Sequence, residues 1–376
     1  MDWVRWREEF PSAARLVHLN HAGLSPLPRR VAAAIRTFAD EGVLLDRAVY
    51  RRWEARAEAV RALAARLIGA QAHEIAFVRN TSEGLSLVAS GLPWQAGDNV
   101  VTVADEYPSN VYPWLGLRRF GVETRLVTRS SPRFSAADVA ALIDRRTRVV
   151  AVSAVDWQSG FRIDLAAFGE LCRARNVLFV VDGIQAVGAL AVDVAASGID
   201  VLAAGGHKWL LAPEGCGMLF VSDRVVERIY PVLLGWKSVD NAGVYLPYHF
   251  DLRPDAARLE PGSAAHLGIL AFGAALELLL DIGPTAIEAR VLETTEQLAE
   301  GLRRLGATVL SPRGAGERSA ILTFALGDPQ ALHQALTDAG IVVRQRLGGI
   351  RLAPHFYNDA GDIARVLDVV GTMARR

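Results

Sequence analysis

The stretch AAGGHKWLLAPEGCGMLFV, residues 203–221, sets one lysine in a Gly-rich, mostly apolar segment between two strand-like runs. The chain's 41 basic residues include only two lysines, Lys208 and Lys237; all the others are arginine. No acidic residue lies closer to Lys208 in sequence than Glu214, so solvation of a surface charge explains it poorly. Arginine keeps its proton in proteins, whereas a desolvated lysine can lose it, and only a neutral amine attacks a carbonyl. Lys208 therefore reads as a Schiff-base lysine.

Outward from this segment, DVLAAGG and GMLFVS read as buried strands, as do EIAFVRN, NVVTVAD, RVVAVSAV and VLFVVDG, each apolar on both faces. Between them, SAADVAALIDRRT and DLAAFGELCRARN carry apolar residues at three- and four-residue spacing, the signature of amphipathic helices. Strands alternating with helices predict a largely parallel α/β sheet, whose ligands gather beyond the carboxyl ends of the strands. Asn80, Thr81, Ser82, Asp105, Glu106, Tyr107, Asp182, His207 and Lys208 all fall at such ends. After residue 255 the texture changes to two long helical runs, then the shorter strand-like pieces ATVLSP, AILTFAL and IVVRQR and a last helix. The predicted organisation is a large domain over residues 15–255 and a smaller α+β domain over residues 256–376, with residues 1–14 packing against the smaller one.

Composition removes several function classes. With 51% hydrophobic residues in 376 and a formal net charge of zero, the chain can build a sizeable core and offers no basic surplus for phosphate backbones. Nucleic acid is not expected as a partner. The opening MDWVRWREEFPSAARLVHLN lacks the apolar centre of a signal peptide, and GILAFGAALELLLDIG is too short for a membrane span. A cytoplasmic protein with no membrane partner is the expectation. Cys172 and Cys216 give neither a disulfide framework nor metal-ligand spacing, and no metal is predicted. Lys237, in LLGWKSVD, is no P-loop lysine, because Trp236 breaks the motif and no Gly-loop precedes it. There is no GxSxG elbow, and His73-Glu74 lacks the second histidine of a zinc helix.

A lysine that holds pyridoxal phosphate makes further demands: an acid for the ring nitrogen, a stacking partner and phosphate donors. Asp182 follows five apolar residues in VLFVVDG, where a carboxylate is poorly solvated and wants a cation; a turn cap is the plainer alternative. Gln185, three residues on, can donate to the ring's phenolic oxygen. Thr81 and Ser82 stand where a helix follows a strand, which suits a phosphate and equally an ordinary helix cap. Tyr107 can lie flat on a ring or simply join the core. Taken singly these residues say little, but their order along the chain is that of a cofactor site.

That order, with the motifs VVDGIQAVG and GGHKWLLAPEGCGMLFV, resembles the class V aminotransferases, pyridoxal-phosphate enzymes that include cysteine desulfurases, kynureninases and isopenicillin-epimerase-like proteins. The resemblance runs from HLNHAGLSPLP, residues 18–28, to RLAPHFYND, residues 351–359. It implies the α/β PLP-dependent transferase fold, aspartate-aminotransferase-like with a mainly parallel sheet, plus a smaller α+β C-terminal domain. It implies that Lys208 holds the cofactor and moves the proton, that Asp182 pairs with the pyridinium nitrogen and that Gln185 meets the phenolic oxygen. Tyr107 matches the stacking position, where many relatives carry His. Thr81, Ser82 and His207 match phosphate contacts. Ser263 matches a Thr that reaches the partner subunit's phosphate, which implies a homodimer with shared active sites. Arg351 matches the residue that grips the substrate α-carboxylate, a task suited to a bidentate guanidinium.

Departures narrow the chemistry. Gly205 stands where desulfurases often carry Ser, and Trp157 lies about where they carry Asn. Both cysteines precede residue 217, so the C-terminal cysteine that accepts sulfur as a persulfide in desulfurases is missing. Transamination of an amino acid is the leading reading, since it needs no group beyond those named. A C–S β-elimination lyase or an epimerase on a sulfur-containing amino acid is the alternative, and a non-catalytic binding protein on the same fold remains open. The predicted substrate-side residues are Arg351, Asn20, His21 and Trp157, with Tyr357 as a further candidate; His21 is equally readable as a helix-entry residue.

Overall fold

The computed structural model describes residues 2–375. Its centre is a seven-stranded sheet in the order Ile75–Val78, Gly217–Val221, Val201–Gly205, Leu178–Asp182, Thr147–Ser153, Asn99–Val103 and Glu123–Val127. All neighbours are parallel except Gly217–Val221, which runs antiparallel to both strands beside it. The double-faced apolar runs form the strands because each face meets its own core. Val150, Val152, Phe179 and Val181 pack into one cluster, while Val149, Ala151, Leu178 and Val180 pack into the other. Alternate side chains of a strand point to opposite faces, so a strand buried on both must be apolar throughout. The edge strand ETRLV, residues 123–127, escapes this pattern because it is mostly solvent-facing, and the sequence gives no run that reveals it.

The smaller sheet is antiparallel, in the order Arg344–Arg346, Gly349–Leu352, Leu322–Ala325 and Thr308–Val309. Helices Pro284–Arg304, Pro329–Asp338 and Ala360–Ala374 share a separate core with it. The run IVVRQR is divided: Ile341–Val342 pairs in parallel with Val17–His18, and Arg344–Arg346 turns into the four-stranded sheet. Arg7, in the opening helix Trp3–Arg7, clamps Asp362 with bonds of 2.7 and 3.0 Å. Two long helices, Arg29–Leu44 and Val49–Ile68, precede the first sheet strand and pack on His266–Ile282. No single helix among the described residues is long and apolar enough to cross a membrane.

The connection after Asp182 depends on one glycine. Gly188 has φ +97°, and a β-carbon there would lie 2.4 Å from the carbonyl oxygen of Trp209. That close approach holds the DGIQAVG turn against the lysine segment. Gly188→Ala is expected to lower unfolding stability by about 2–3 kcal/mol, through backbone strain and displacement of Trp209. Urea unfolding checks this, and an unchanged midpoint would mean the turn relaxes without cost.

Candidate active site

Lys208 follows the carboxyl end of Val201–Gly205 and lines a cleft of about 460 Å³ between the large sheet and the strands carrying Arg344, Arg346 and Arg351. Its backbone is fixed from the N-terminal loop: the Ser25 hydroxyl donates to the Lys208 carbonyl at 2.6 Å, and the Ser25 N–H donates to the His207 carbonyl at 3.0 Å. Lys208 is 8% exposed. Burial, reinforced by the charges of Arg351 and Arg346 and opposed by Asp182, lowers its pKa to about 8. Its amine sits 5.4 Å from the centroid of the Tyr107 ring.

Asp182 ends the neighbouring strand, opposite Ser153 and Ala203 in register. Its Oδ1 accepts the Ile184 N–H at 3.0 Å. Burial raises the carboxyl to about 6, against the pull of that hydrogen bond and of the Lys208 charge. A cation brought to this carboxylate would restore its ordinary ionisation. Glu106, which the sequence places at a strand end without a role, has a carboxylate that accepts from the Ser153 N–H at 2.5 Å and from the Ser153 hydroxyl. Burial, with the Asp182 and Asp156 charges adding to it, pushes Glu106 up to about 8. The strand pairing of Ser153 with Asp182 thus seats a second carboxyl group behind the first.

The far end of the cleft is the start of helix Thr81–Gly91. Asn80 caps it, its Oδ1 accepting the Glu83 N–H at 2.9 Å, and the Gly84 N–H reaches the Asn80 carbonyl. The amides of Thr81 and Ser82 precede the first intrahelical bond and face no acceptor within the helix. The Thr81 hydroxyl accepts the Gly205 N–H at 3.0 Å and keeps its own hydrogen to donate. Ser82 shares a 2.7 Å hydrogen bond with Ser109, which also lines the cleft. Ser109 is a hydroxyl the sequence reading missed; it stands two residues after Tyr107, in the same loop. His207 is half-buried, its pKa lowered by burial and by the Lys208 charge. The Gln185 side-chain amide donates to the Ala22 carbonyl at 3.1 Å and accepts from the Trp209 indole at 2.8 Å, leaving one N–H uncommitted.

Arg351 is 2% exposed. It donates to the Trp157 carbonyl at 2.6 Å and to Asn20 Oδ1 at 3.2 Å. Trp157 meets Tyr107 edge to face at 5.4 Å, joining the arginine end of the cleft to the wall above Lys208.

Three predicted site residues lie elsewhere. His21 is a correction: its ring is fully buried, one nitrogen bonded to the Ala353 carbonyl at 2.7 Å and the other to the Tyr357 hydroxyl at 2.9 Å. With both nitrogens engaged it ties the N-terminal loop to the small domain and does not line the cleft. Tyr357 is likewise interior, stacked on Phe10 at 3.8 Å. Ser263 lies outside this cleft, in a groove with Leu233, Glu260 and Cys216.

Residues 17–361 match the family model Aminotransferase class-V. The chain belongs to the class V aminotransferase family. It is 28% identical to an uncharacterized aminotransferase of Schizosaccharomyces pombe, over 97% of this chain and 94% of that one. It is 29% identical to the isopenicillin N epimerase of Streptomyces clavuligerus, over 99% and 98% of the two chains. Among solved structures, the apo cysteine desulfurase of Thermococcus onnurineus superposes with a TM-score of 0.88 at 25% identity, covering 98% of this chain and 97% of the other. The cofactor of this family is pyridoxal 5′-phosphate, and the donor set here fits it: a desolvated amine, a buried carboxylate, an aromatic face and a helix start with free hydroxyls.

An amine must be neutral to capture an aldehyde, so capture at Lys208 is expected to follow its pKa of about 8. The cofactor-free protein is expected to take up pyridoxal phosphate about tenfold faster per pH unit below that value and to level off above it. Asp182→Asn removes the charge that holds the amine protonated, so the midpoint moves to lower pH. A pH-independent uptake rate, or a midpoint moved upward, would contradict this electrostatic picture.

Proposed function

We propose that this enzyme is an aminotransferase that removes the amino group of an α-amino acid with pyridoxal phosphate as cofactor. The observation that carries the reading is the pairing, in one cleft, of a desolvated lysine with a buried arginine aimed at the substrate side, and with no thiol beside them. In this reading Thr81, Ser82, Ser109 and His207 hold the cofactor phosphate, Asp182 faces the ring nitrogen, Gln185 the phenolic oxygen, and Tyr107 covers the ring. Bound pyridoxal phosphate supplies an electron sink for the charge that develops at the substrate α-carbon.

The chain's own residues do the rest. Arg351, oriented by Trp157 and Asn20, grips the α-carboxylate and fixes which α-carbon bond faces Lys208. Lys208 would hold the cofactor and, with its amine free, would serve as general base on the α-proton. Its flexible stem would let the same amine return the proton to the cofactor's aldehyde carbon, two atoms away, after which water would release the keto acid and leave the amino group on the cofactor. Asp182 keeps its ring partner protonated, because an ionised carboxylate in a dry site favours an adjacent cation. A persulfide route finds no support: Cys172 and Cys216 are buried away from the cleft, and burial pushes both thiols up to about 12.

The same reading includes a homodimer in which the partner's Ser263 completes the phosphate site. Its support is a run of exposed apolar side chains near the Ser263 groove, including Leu233, Trp236, Tyr245 and Phe250. A patch of that kind marks an interaction surface.

The loaded enzyme mixed with an amino donor and no keto acid is expected to lose its visible absorbance until a keto acid is added. Recovery of the absorbance with release of keto acid and ammonia would assign elimination instead, and racemised substrate would assign epimerisation. Lys208→Ala is expected to abolish turnover with the fold intact. Arg351→Ala is expected to weaken apparent amino-acid affinity by about 2–5 kcal/mol, measured by spectral titration. An unchanged affinity would remove Arg351 from the clamp.

A further inference from the structure

Three guanidinium groups meet at the substrate end of the cleft, and a single α-carboxylate satisfies only one of them. Arg344 and Arg346 stand two residues apart on one strand and so share a face. Arg351 lies directly opposite Arg344 on the antiparallel neighbour. All three line the cleft together with Lys208, and none of the lining residues is acidic.

The arginines' present partners are neutral. Arg351 bonds the Trp157 carbonyl and the Asn20 side-chain oxygen. Arg346 bonds the Gln345 carbonyl and lies 5.0 Å over the Trp157 ring. The Nε atoms of both are buried without a hydrogen-bond partner. Burial, with the Arg346 and Arg344 charges adding to it and the Asp156 charge opposing it, lowers Arg351 to about 10.

Elsewhere in the molecule, Arg61 and Arg129 are paired with carboxylates, whereas among the described residues the buried Arg258 bonds only backbone carbonyls. Arg61 is gripped by Glu58 and Glu260, and Arg129 by Asp105 and Asp156. The chain has as many acidic as basic residues, 41 of each, so carboxylates were available for this site too. Among the described residues, no salt bridge reaches Arg344, Arg346 or Arg351; Arg344 is exposed to solvent, so the charge that favours an anionic ligand is chiefly that of the buried Arg351 and the half-buried Arg346. The cofactor phosphate does not account for it, since the donors suited to phosphate lie at the start of helix Thr81–Gly91. The arginines instead surround Trp157 and Asn20.

We propose that the substrate is a diacidic α-amino acid, its second anionic group bound by Arg346 and Arg344 while Arg351 takes the α-carboxylate. This rests on the reading of the cleft as an amino-acid site. The geometry explains why Trp157 stands where it does: its ring backs the Arg346 guanidinium and its carbonyl orients Arg351, so one residue sets the spacing between the two anion positions. It also limits the second group to one that accepts from a planar fork, of which a carboxylate is the simplest. The partner keto acid of a transamination would then be a dicarboxylate as well, because both substrates use the same site in turn.

The test is titration calorimetry of the cofactor-loaded enzyme with two unreactive probes, glutarate and butyrate, alongside the absorbance response to aspartate, glutamate and alanine. Glutarate is expected to bind about tenfold to a hundredfold tighter than butyrate. Arg346→Gln and Arg344→Gln should each shrink that ratio, and Arg346→Lys should restore part of it by returning the charge without the fork. Equal affinity for the two probes, or variants that weaken both probes alike, overturns the diacid proposal. The two levels of failure separate cleanly. If no amino acid perturbs the cofactor absorbance, the amino-acid reading of the site falls. If amino acids react but alanine matches aspartate and glutamate in apparent affinity, only the diacid proposal falls.

Discussion

An amine and a carboxylate share a nearly dry space at the ends of two adjacent strands, and burial shifts each toward its neutral form. Lys208 falls to about 8 and Asp182 rises to about 6, with each charge partly relieving the other. Water would dissolve this relation, so the surrounding structure can be understood as what excludes it. The double-faced apolar strands place both residues at the sheet's carboxyl edge. Ser25 pins the lysine backbone from the N-terminal loop, and Trp209 and Gly188 lock the turn that follows Asp182. Even the small sheet contributes, because the arginines that close the cleft also press the lysine toward its neutral state.

The two sheets therefore divide the labour of the site. Strand ends and one helix start from the large sheet supply the groups suited to a phosphorylated aldehyde cofactor. The antiparallel strands of the small sheet supply the three arginines at the other end of the cleft. The junction between them is polar and specific: His21 bonds both Ala353 and Tyr357, while Asn20 bridges to Ala353 and holds Arg351. A fully buried histidine with both nitrogens engaged is well suited to fixing this junction, and its role there replaces the substrate contact expected of it.

Much of this was legible in the sequence because it is local. The strands of the large sheet announce themselves as short runs apolar on both faces, and the cofactor-side residues sit at the ends of those runs. A lysine in an arginine-rich chain stands out for a chemical reason. What stayed hidden was set by tertiary contact. ETRLV is an edge strand whose polar side chains give no signal, and IVVRQR divides between two sheets at a point no periodicity marks. Ser109 follows Tyr107 as an ordinary loop residue until the fold brings Ser82 beside it, and Glu106, legible only as a strand-end residue, gains its partners when strand pairing brings Ser153 and Asp182 near it. Arg344 and Arg346 are two of many arginines, and only the register opposite Arg351 makes them a site.

The central claim is that Lys208 is the residue that holds the cofactor, and the chain's composition makes it unusually easy to test. Borohydride reduction of the loaded protein, followed by peptide mapping, fixes the cofactor covalently to whichever amine carries it. With Lys208 and Lys237 the only lysines, the choice is nearly binary. The predicted result is a single pyridoxyl group on the peptide containing Lys208, absent from Lys208→Ala. Label on Lys237, or on the amino terminus with Lys208 unmodified, would contradict it.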